Sequence, residues 1–306
     1  MKRLKSKIFL AGFFLLFFGS IIAIVSYIPY VVTEVKNPVA ALFNEDLSGI
    51  HHPDFETFGL QGKKIVFVTR DSLHLSAYLI KTEKKAKGTV IALHGYRSNK
   101  NKYLPVASYF IEAGYHFAAM DLRGHNESEG TYTGFSYYEK NDVADFIEYL
   151  EKHENLHPPY ILYGHSIGAA TALAVAAENK KVKLLVLESI FTSLEDIIPN
   201  YIRFYTGIEI DSIPDEISET VFNSAGVPLE KIRPVDLAEK IKIPVLIIHG
   251  KKDEKVPLPE AEKVYNRIKG PKSLMVIDSA THNTLWEKGG RDYFKRITAF
   301  IEKQQL

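Results

Sequence analysis

Short, continuous apolar runs alternate with stretches of helical periodicity along most of the sequence. Residues 89–93 and 116–120 consist almost entirely of apolar residues, which is typical of strands buried on both faces of a parallel sheet. Other β-patterned runs cover 64–70, 73–80, 159–163, 183–187, 245–248 and 274–277, and helical patterns cover 103–113, 138–153, 169–177 and 291–303. The first two of these runs flank Asp71-Ser72 and predict an antiparallel hairpin. The alternation as a whole predicts an α/β fold with a doubly wound, mostly parallel sheet of about eight strands.

The N-terminal segment is one long apolar run without a charged residue from Ile8 to Val32. Residues 8–28 supply the roughly 20 apolar residues that a membrane-spanning helix needs. A cleaved signal peptide is the competing interpretation, but its apolar region is usually about 7–15 residues long and no clear cleavage site follows here. We therefore expect residues 1–33 to form an uncleaved, single-pass anchor in the lipid bilayer.

Four basic residues precede this run: Lys2, Arg3, Lys5 and Lys7. Positive charge before a first membrane span predicts a cytoplasmic N-terminus and a body outside the cytoplasm. Residues 34–62 are expected to form a polar juxtamembrane connector, and residues 63–306 the folded domain. His51 and His52 lie in the connector, but a metal site is not expected because no third ligand is nearby.

A long excursion separates the strand predicted at 183–187 from the one predicted at 245–248. Residues 194–205 within it have apolar positions at helical spacing, and Pro214, Gly226 and Pro228 follow. Long excursions in compact domains often form functional lids. We expect residues 188–240 to form a small cap, and the alternative is a helix that only packs on the body.

Composition excludes several classes of function. The chain has 306 residues, of which 46% are hydrophobic and 25% are charged, as in ordinary globular proteins. It has no cysteine, which excludes disulfides, thiolate metal sites and a cysteine nucleophile. The formal net charge is +1, and four of the basic residues precede the apolar run, so the rest of the chain is weakly acidic. Nucleic-acid binding is therefore not expected.

The strand candidate at 159–163 leads through Gly164-His165-Ser166-Ile167-Gly168 into a helical pattern. A serine between two glycines at a strand-to-helix corner is an arrangement that exposes a nucleophile on a strained turn. The N-terminus of the following helix favours negative charge that develops at the serine. Ser166 is the predicted catalytic nucleophile.

A serine hydroxyl needs an imidazole to take its proton and a carboxylate to orient that imidazole. In hydrolases with this serine motif the acid and then the histidine follow the serine in the chain. Asp253 follows a late strand, with Glu254 as a minor alternative, and His282 is the only histidine after them. The predicted triad is Ser166, Asp253 and His282, whereas His94 and His249 are expected to shape loops and His165 to be a structural residue beneath the serine corner.

The negatively charged oxygen of a tetrahedral intermediate needs preorganised N–H donors. One predicted donor is the backbone N–H of Ile167, directly after the nucleophile. The second is expected from the loop after the third strand, where the backbone N–H of Tyr96 is the best candidate.

Five segments together resemble one known superfamily. They are His94-Gly95 with Asn99, Asp121-Leu122-Arg123-Gly124-His125 with Ser128-Glu129-Gly130, the motif around Ser166, His249-Gly250 with Asp253 and Val256-Pro257, and His282. Over residues 60–302 the chain resembles the α/β-hydrolase superfamily, and within it the single-pass, membrane-anchored serine hydrolases of the ABHD type. Asn126 departs from the glycine that more usually follows the arginine-glycine-histidine segment.

The resemblance implies hydrolysis of esters, thioesters or occasionally amides without a metal or an organic cofactor. We expect a membrane-anchored esterase or lipase-like enzyme that acts on a small acyl-ester or lipid-like substrate. The alternatives are a peptidase or acyltransferase that uses the same triad, or a non-enzymatic ligand-binding protein. The sequence does not indicate an oligomeric state.

Overall fold

An eight-stranded sheet runs through the protein, for which a computed structural model describes residues 33–36, 55–212 and 226–305. The strands are β1 (Gly62–Val68), β2 (His74–Ile80), β3 (Thr89–Leu93), β4 (His116–Met120), β5 (Tyr160–His165), β6 (Val182–Glu188), β7 (Val245–Gly250) and β8 (Lys272–Ile277). Their order is β1-β2-β4-β3-β5-β6-β7-β8. β2 is antiparallel to β1 and β4, and the other neighbours are parallel. The predicted mostly parallel sheet of about eight strands is confirmed.

Helices connect the strands. They are α1 (Leu104–Glu112), α2 (Glu139–Glu154), α3 (Ile167–Glu178), α4 (Leu194–Thr206), α5 (Pro234–Leu237), α6 (Leu258–Arg267), α7 (Leu285–Gly289) and α8 (Tyr293–Lys303). The sequence pattern predicts the long helices but not α6. This helix was missed although its pattern is amphipathic, since Ala261 and Val264 lie on its buried face at helical spacing.

The central strands are buried on both faces. Ile161 and Tyr163 of β5 pack into one hydrophobic cluster, whereas Leu162 between them packs into the other. The first cluster includes α1 and α8, and the second includes α2, α3 and α6. Because alternate side chains of a strand point to opposite faces, burial on both faces explains why these strands are continuously apolar.

The segment after the predicted anchor contacts the body. Glu34 forms a β-bridge with Tyr132, and the Val35 N–H donates to the Thr131 carbonyl oxygen at 3.2 Å. The anchor itself, the paired histidines 51 and 52, and residues 213–225 of the excursion lie outside the described residues. Within the described ranges, none of the helices combines the length and the apolar character needed to cross a bilayer.

A buried ionic network fixes the loops that follow β3 and β4. The Lys100 ammonium lies 2.6 Å from an Asp121 carboxylate oxygen and 2.5 Å from one of Glu127. Asn126, which has a φ of 43°, also donates to Asp121 at 2.9 Å. Asparagine tolerates the left-handed region better than most residues, so this backbone conformation does not require the glycine that the family resemblance leads us to expect here.

We predict that Lys100→Met destabilises the protein much more than Lys64→Met. Both lysines pair with Glu127, but the Lys100 side chain is 0% exposed and that of Lys64 is 50% exposed. Removal of the Lys100 ammonium leaves the buried Asp121 carboxylate without its ionic partner and should cost about 3–5 kcal/mol. Loss of the exposed pair should cost less than about 1 kcal/mol. Urea unfolding measures both, and equal losses would contradict a structural role for the buried network.

Candidate active site

Ser166 occupies a sharp corner between β5 and α3. Its φ of 55° and ψ of −116° lie in a sparsely populated backbone region for a residue with a side chain, which costs of order 1–3 kcal/mol. The Ser166 N–H donates to the Glu188 carbonyl oxygen at 2.9 Å, which ties the corner to the end of β6. The hydroxyl therefore stands at the carboxyl edge of the sheet and directly before the N-terminus of α3.

The two glycines of the motif allow backbone contacts that no side chain would permit. A Cβ on Gly164 would lie 2.2 Å from the Gly168 carbonyl oxygen, and a Cβ on Gly168 would lie 2.1 Å from that of Leu93. The first turn of α3 thus packs directly against the end of β3. As the first residue of α3, Ile167 has no intrahelical acceptor for its N–H. The loop that follows β3 places Tyr96 in the same cavity wall as Ser166.

Asp253 and His282 are joined by a hydrogen bond. The His282 Nδ1 lies 2.8 Å from Asp253 Oδ2, and the backbone N–H groups of Lys255 and Val256 donate to Oδ1 at 3.1 and 2.8 Å. Burial alone would raise the pKa of the Asp253 carboxyl, but the adjacent His282 imidazole holds it below its ordinary value. Glu254 is exposed, so the structure brings Asp253 and not Glu254 to His282.

The second imidazole nitrogen of His282 is available to the cavity. Because a carboxylate only accepts hydrogen bonds, Nδ1 carries a proton, so in the neutral imidazole it is Nε2 that presents a lone pair. The Tyr201 hydroxyl of α4 lies 3.4 Å from Nε2. No hydrogen bond joins the described Ser166 and His282 side chains, although both line the same cavity. Contacts between a nucleophile and its base are often loose before a substrate binds.

Three further histidines hold the loops around this site. The His94 Nε2 accepts from the Leu122 N–H at 3.0 Å, His165 Nε2 donates to the His282 carbonyl oxygen at 2.8 Å, and His249 Nε2 donates to that of Val256 at 2.8 Å. Burial lowers the pKa of all three imidazoles, that of His94 to about 3. They are therefore neutral near pH 7.

A cavity of about 430 Å³ opens in front of Ser166. Its walls include Tyr96, Arg97, Lys102, Glu188, Tyr201, Tyr205, Lys255, His282 and Trp286. Over residues 33–36, 55–212 and 226–305, no group of three or more histidine and acidic side chains is arranged to hold a metal ion.

Several wall residues are absent from the sequence prediction. Tyr201 and Tyr205 come from α4, which lies within residues 188–240 of the excursion. Glu188 ends β6, the strand beside β5, and residues at the carboxyl ends of neighbouring parallel strands meet at one edge. That rule could have identified Glu188. Lys102 reaches the cavity wall because the loop after β3 folds back toward Ser166. The sequence pattern does not predict that fold of the loop.

Known proteins resemble this chain in both sequence and structure. A family model described as serine aminopeptidase, S33, matches residues 84–211. Protein bem46 of Schizosaccharomyces pombe is 29% identical, over 83% of this chain and 81% of its own length. Alpha/beta hydrolase domain-containing protein 17B of Xenopus tropicalis is 22% identical, over 78% and 75%.

The solved structure of the Pyrococcus furiosus esterase Pf2001 superposes with a TM-score of 0.69 at 22% identity, over 83% of this chain and 97% of that chain. At this identity the likeness is one of fold. Together with the eight-stranded sheet, it confirms the α/β-hydrolase fold predicted from the sequence.

We predict that Asp253→Asn moves the proton of His282 from Nδ1 to Nε2. The two backbone N–H donors on Oδ1 need an acceptor, so the asparagine carbonyl oxygen should take that place. The amide NH₂ then faces Nδ1 and stabilises the tautomer in which Nδ1 accepts. Nitrogen-15 NMR of the imidazoles reports this change.

Glu254→Gln is the matched control, since this neighbouring carboxylate is exposed and should leave the tautomer unchanged. Retention of the Nδ1 proton in Asp253→Asn would contradict the assigned geometry.

Proposed function

This chain belongs to the α/β-hydrolase superfamily, and from that premise we propose that it is a serine hydrolase that cleaves carboxylic esters through an acyl-enzyme. In this proposal Ser166 is the nucleophile, His282 the general base and acid, and Asp253 the group that orients His282. The backbone N–H groups of Ile167 and Tyr96 stabilise the oxyanion.

The observation that carries the proposal is the fixed Asp253–His282 pair in the cavity of Ser166. Asp253 is held through Oδ1 by two backbone donors, so Oδ2 has one orientation toward His282 Nδ1. The imidazole then turns its basic Nε2 toward the cavity in which the strained Ser166 corner stands. A positioned base beside an activated serine is the arrangement that nucleophilic acyl transfer requires.

In the acylation step, Nε2 of His282 removes the proton of the Ser166 hydroxyl as Oγ attacks the acyl carbonyl carbon. The carbonyl oxygen becomes an oxyanion, and each N–H donor directed at it lowers the barrier by about 3 kcal/mol. The imidazolium, stabilised by Asp253, next protonates the leaving alkoxide oxygen. The alcohol departs and Ser166 carries the acyl group.

Deacylation repeats these steps with water. His282 removes a proton from a water molecule, the water oxygen attacks the acyl carbon, and the imidazolium returns the proton to Ser166 Oγ. The products are the carboxylic acid and the free enzyme. The Tyr201 hydroxyl lies 3.4 Å from Nε2 of His282, where the serine, alkoxide and water oxygens must exchange protons. In this mechanism the hydroxyl moves away from Nε2 when the substrate binds.

A peptidase is the second candidate, because the matched family model is described as serine aminopeptidase. An aminopeptidase must bind the ammonium group of its substrate near the scissile bond. The cavity wall carries three cationic side chains, Arg97, Lys102 and Lys255, whereas its two carboxylates, Glu188 and Glu287, already have partners within the protein. Repulsion of an ammonium group by the three cations favours esters over aminoacyl amides. An acyltransferase would use the same acyl-enzyme with an alcohol in place of water.

We further propose that residues 1–33 anchor the enzyme in a membrane, with the cytoplasmic N-terminus and extracytoplasmic domain expected from the sequence. The uncharged run of residues 8–32 and the basic residues before it support this proposal. An anchor and a cavity with several aromatic walls suit a small acyl-ester or lipid-like substrate.

We predict that Ser166→Ala abolishes labelling by a fluorophosphonate probe and lowers kcat for p-nitrophenyl esters by about 10⁴-fold or more. Asp253→Asn should lower kcat by about 10³–10⁴-fold because the wrong tautomer of His282 cannot take the serine proton. Glu254→Gln serves as the control and should retain wild-type turnover.

Failure of the folded wild-type protein to react with the probe would refute the proposed serine chemistry. Faster turnover of aminoacyl p-nitroanilides than of p-nitrophenyl esters of graded chain length would favour the peptidase. Transfer of the acyl group to an added alcohol in preference to water would favour the acyltransferase.

A second prediction concerns the anchor. Deletion of residues 1–32 should release the protein from the membrane fraction while probe labelling of Ser166 persists. The deletion retains Thr33 to Lys36, which hydrogen-bond with the loop at 128–133. Intact mass of the full-length protein tests cleavage, and protease protection tests orientation. Recovery of the full-length chain in the soluble fraction, or with a shortened N-terminus, would contradict an uncleaved anchor.

A further inference from the structure

Five charged side chains line the cavity that holds Ser166 and His282. Three are basic (Arg97, Lys102, Lys255) and two are acidic (Glu188, Glu287). Charge in such a cavity selects substrates because its interactions are only partly screened by water. A side chain that already has a hydrogen bond or an ion pair within the protein is less available to a substrate, so the partners of each of the five determine what the cavity can bind.

Both acidic groups have partners within the protein. Glu188 is buried, and its Oε1 accepts hydrogen bonds from the Tyr163 and Tyr293 hydroxyls and from Trp286 Nε1. Burial raises the pKa of the Glu188 carboxyl, although the Lys102 charge and these donors oppose the rise. Glu287 lies at the exposed rim and pairs with Lys288 at 2.6 Å. Neither carboxylate is well placed to attract a cationic substrate.

Two of the basic groups are also engaged. The Lys255 ammonium donates to the Tyr205 hydroxyl at 3.1 Å and lies 4.6 Å from the ring centre of Phe204. These contacts attach α4 to the loop that carries Asp253. The Arg97 guanidinium lies 4.7 Å from the ring centre of Tyr96.

Lys102 differs from both. Its ammonium lies 4.9 Å from the ring centre of Trp286, and it makes neither a hydrogen bond nor an ion pair with any residue in the described ranges. Burial lowers the pKa of this ammonium, while Glu188 nearby opposes the effect. An anion brought beside it would restore the electrostatic stabilisation that burial removes.

The backbone around Lys102 is held firmly. It lies in the 3₁₀ helix Lys100–Tyr103, which Asn99 caps through a 2.9 Å hydrogen bond from the Asn101 N–H. On one side Lys100 is paired with Asp121, and on the other the Tyr103 hydroxyl donates to the Leu93 carbonyl oxygen at 2.8 Å. The position from which the Lys102 side chain enters the cavity is therefore well defined.

We propose that Lys102 binds an anionic group of the substrate, so that the enzyme prefers esters that carry a carboxylate or a phosphate. This inference rests on the proposed esterase activity and names the substrate class for the same site. Lys102 is a specificity-determining residue in this scheme, and Trp286 supports its side chain.

The test compares matched esters of phenols, whose hydrolysis is followed by the absorbance of the released phenol. Mono(4-nitrophenyl) glutarate against 4-nitrophenyl pentanoate places the charge on the acyl side. 4-Acetoxybenzoate against its methyl ester places a carboxylate on the leaving group, and 4-acetoxyphenyl phosphate against its dimethyl ester places a phosphate there. For each pair the measured quantity is the ratio of kcat/KM for the anionic ester to kcat/KM for the neutral one.

In at least one pair, Lys102→Met should lower this ratio by about tenfold, because a hydrogen bond to a charged group is lost. Methionine is an unbranched side chain of similar length without the charge, and Lys102→Arg should restore most of the ratio. Lys152→Met, which removes an exposed lysine on α2, is the control and should leave every ratio unchanged. Unchanged ratios in Lys102→Met for all three pairs would overturn the proposal.

A binding measurement separates failure of this proposal from failure of the esterase assignment. Monomethyl glutarate and methyl pentanoate are titrated by NMR into Ser166→Ala, which needs no turnover. The monoanion should bind more tightly, and Lys102→Met in the same background should remove the difference. If no ester is cleaved but this difference appears, the anion site stands and the reaction is wrong. If the monoanion binds no better than the neutral ester, the anion site is refuted.

Discussion

The contact between the first turn of α3 and the end of β3 is the constraint on which the site depends. A Cβ on Gly168 would lie 2.1 Å from the Leu93 carbonyl oxygen, so the two backbones can meet only where no side chain intervenes. The close approach forces the chain through the strained conformation at Ser166. It also places the N-terminus of α3 next to the loop that carries Tyr96. One packing requirement therefore positions both the serine and the proposed oxyanion donors.

Neutral buried groups hold the remaining geometry. His94, His165 and His249 each bind a loop backbone while burial lowers the pKa of their imidazoles. They can therefore fix loops without competing with His282 for protons. The Asp253 carboxylate is held through Oδ1 by two backbone donors, and its Oδ2 lies 2.8 Å from His282 Nδ1 and 3.5 Å from His249 Nε2. Rigid support of this kind keeps a catalytic hydrogen bond aligned before substrate arrives.

The cavity combines elements that are distant in the chain. α4 supplies Tyr201 near His282, and the 3₁₀ helix after β3 supplies the Lys102 ammonium. Lys255 links α4 to the loop of Asp253 through the Tyr205 hydroxyl. Movement of α4 would therefore change both access to Ser166 and the environment of the Asp253 loop. The carboxyl edge of a parallel sheet makes this convergence possible, since consecutive strands deliver their loops to one place.

The sequence alone determined the fold class, the strand-to-helix corner at Ser166 and the candidates Asp253 and His282. These features depend on local patterns, namely apolar periodicity, glycine spacing and position after a strand. Tertiary structure decided that Asp253 rather than Glu254 meets His282, that Tyr201 lies beside Nε2, and that Lys102 faces the cavity with no ionic partner in the described ranges. Those outcomes depend on how separate loops fold back over one edge of the sheet, and no local pattern encodes the distance between two loops.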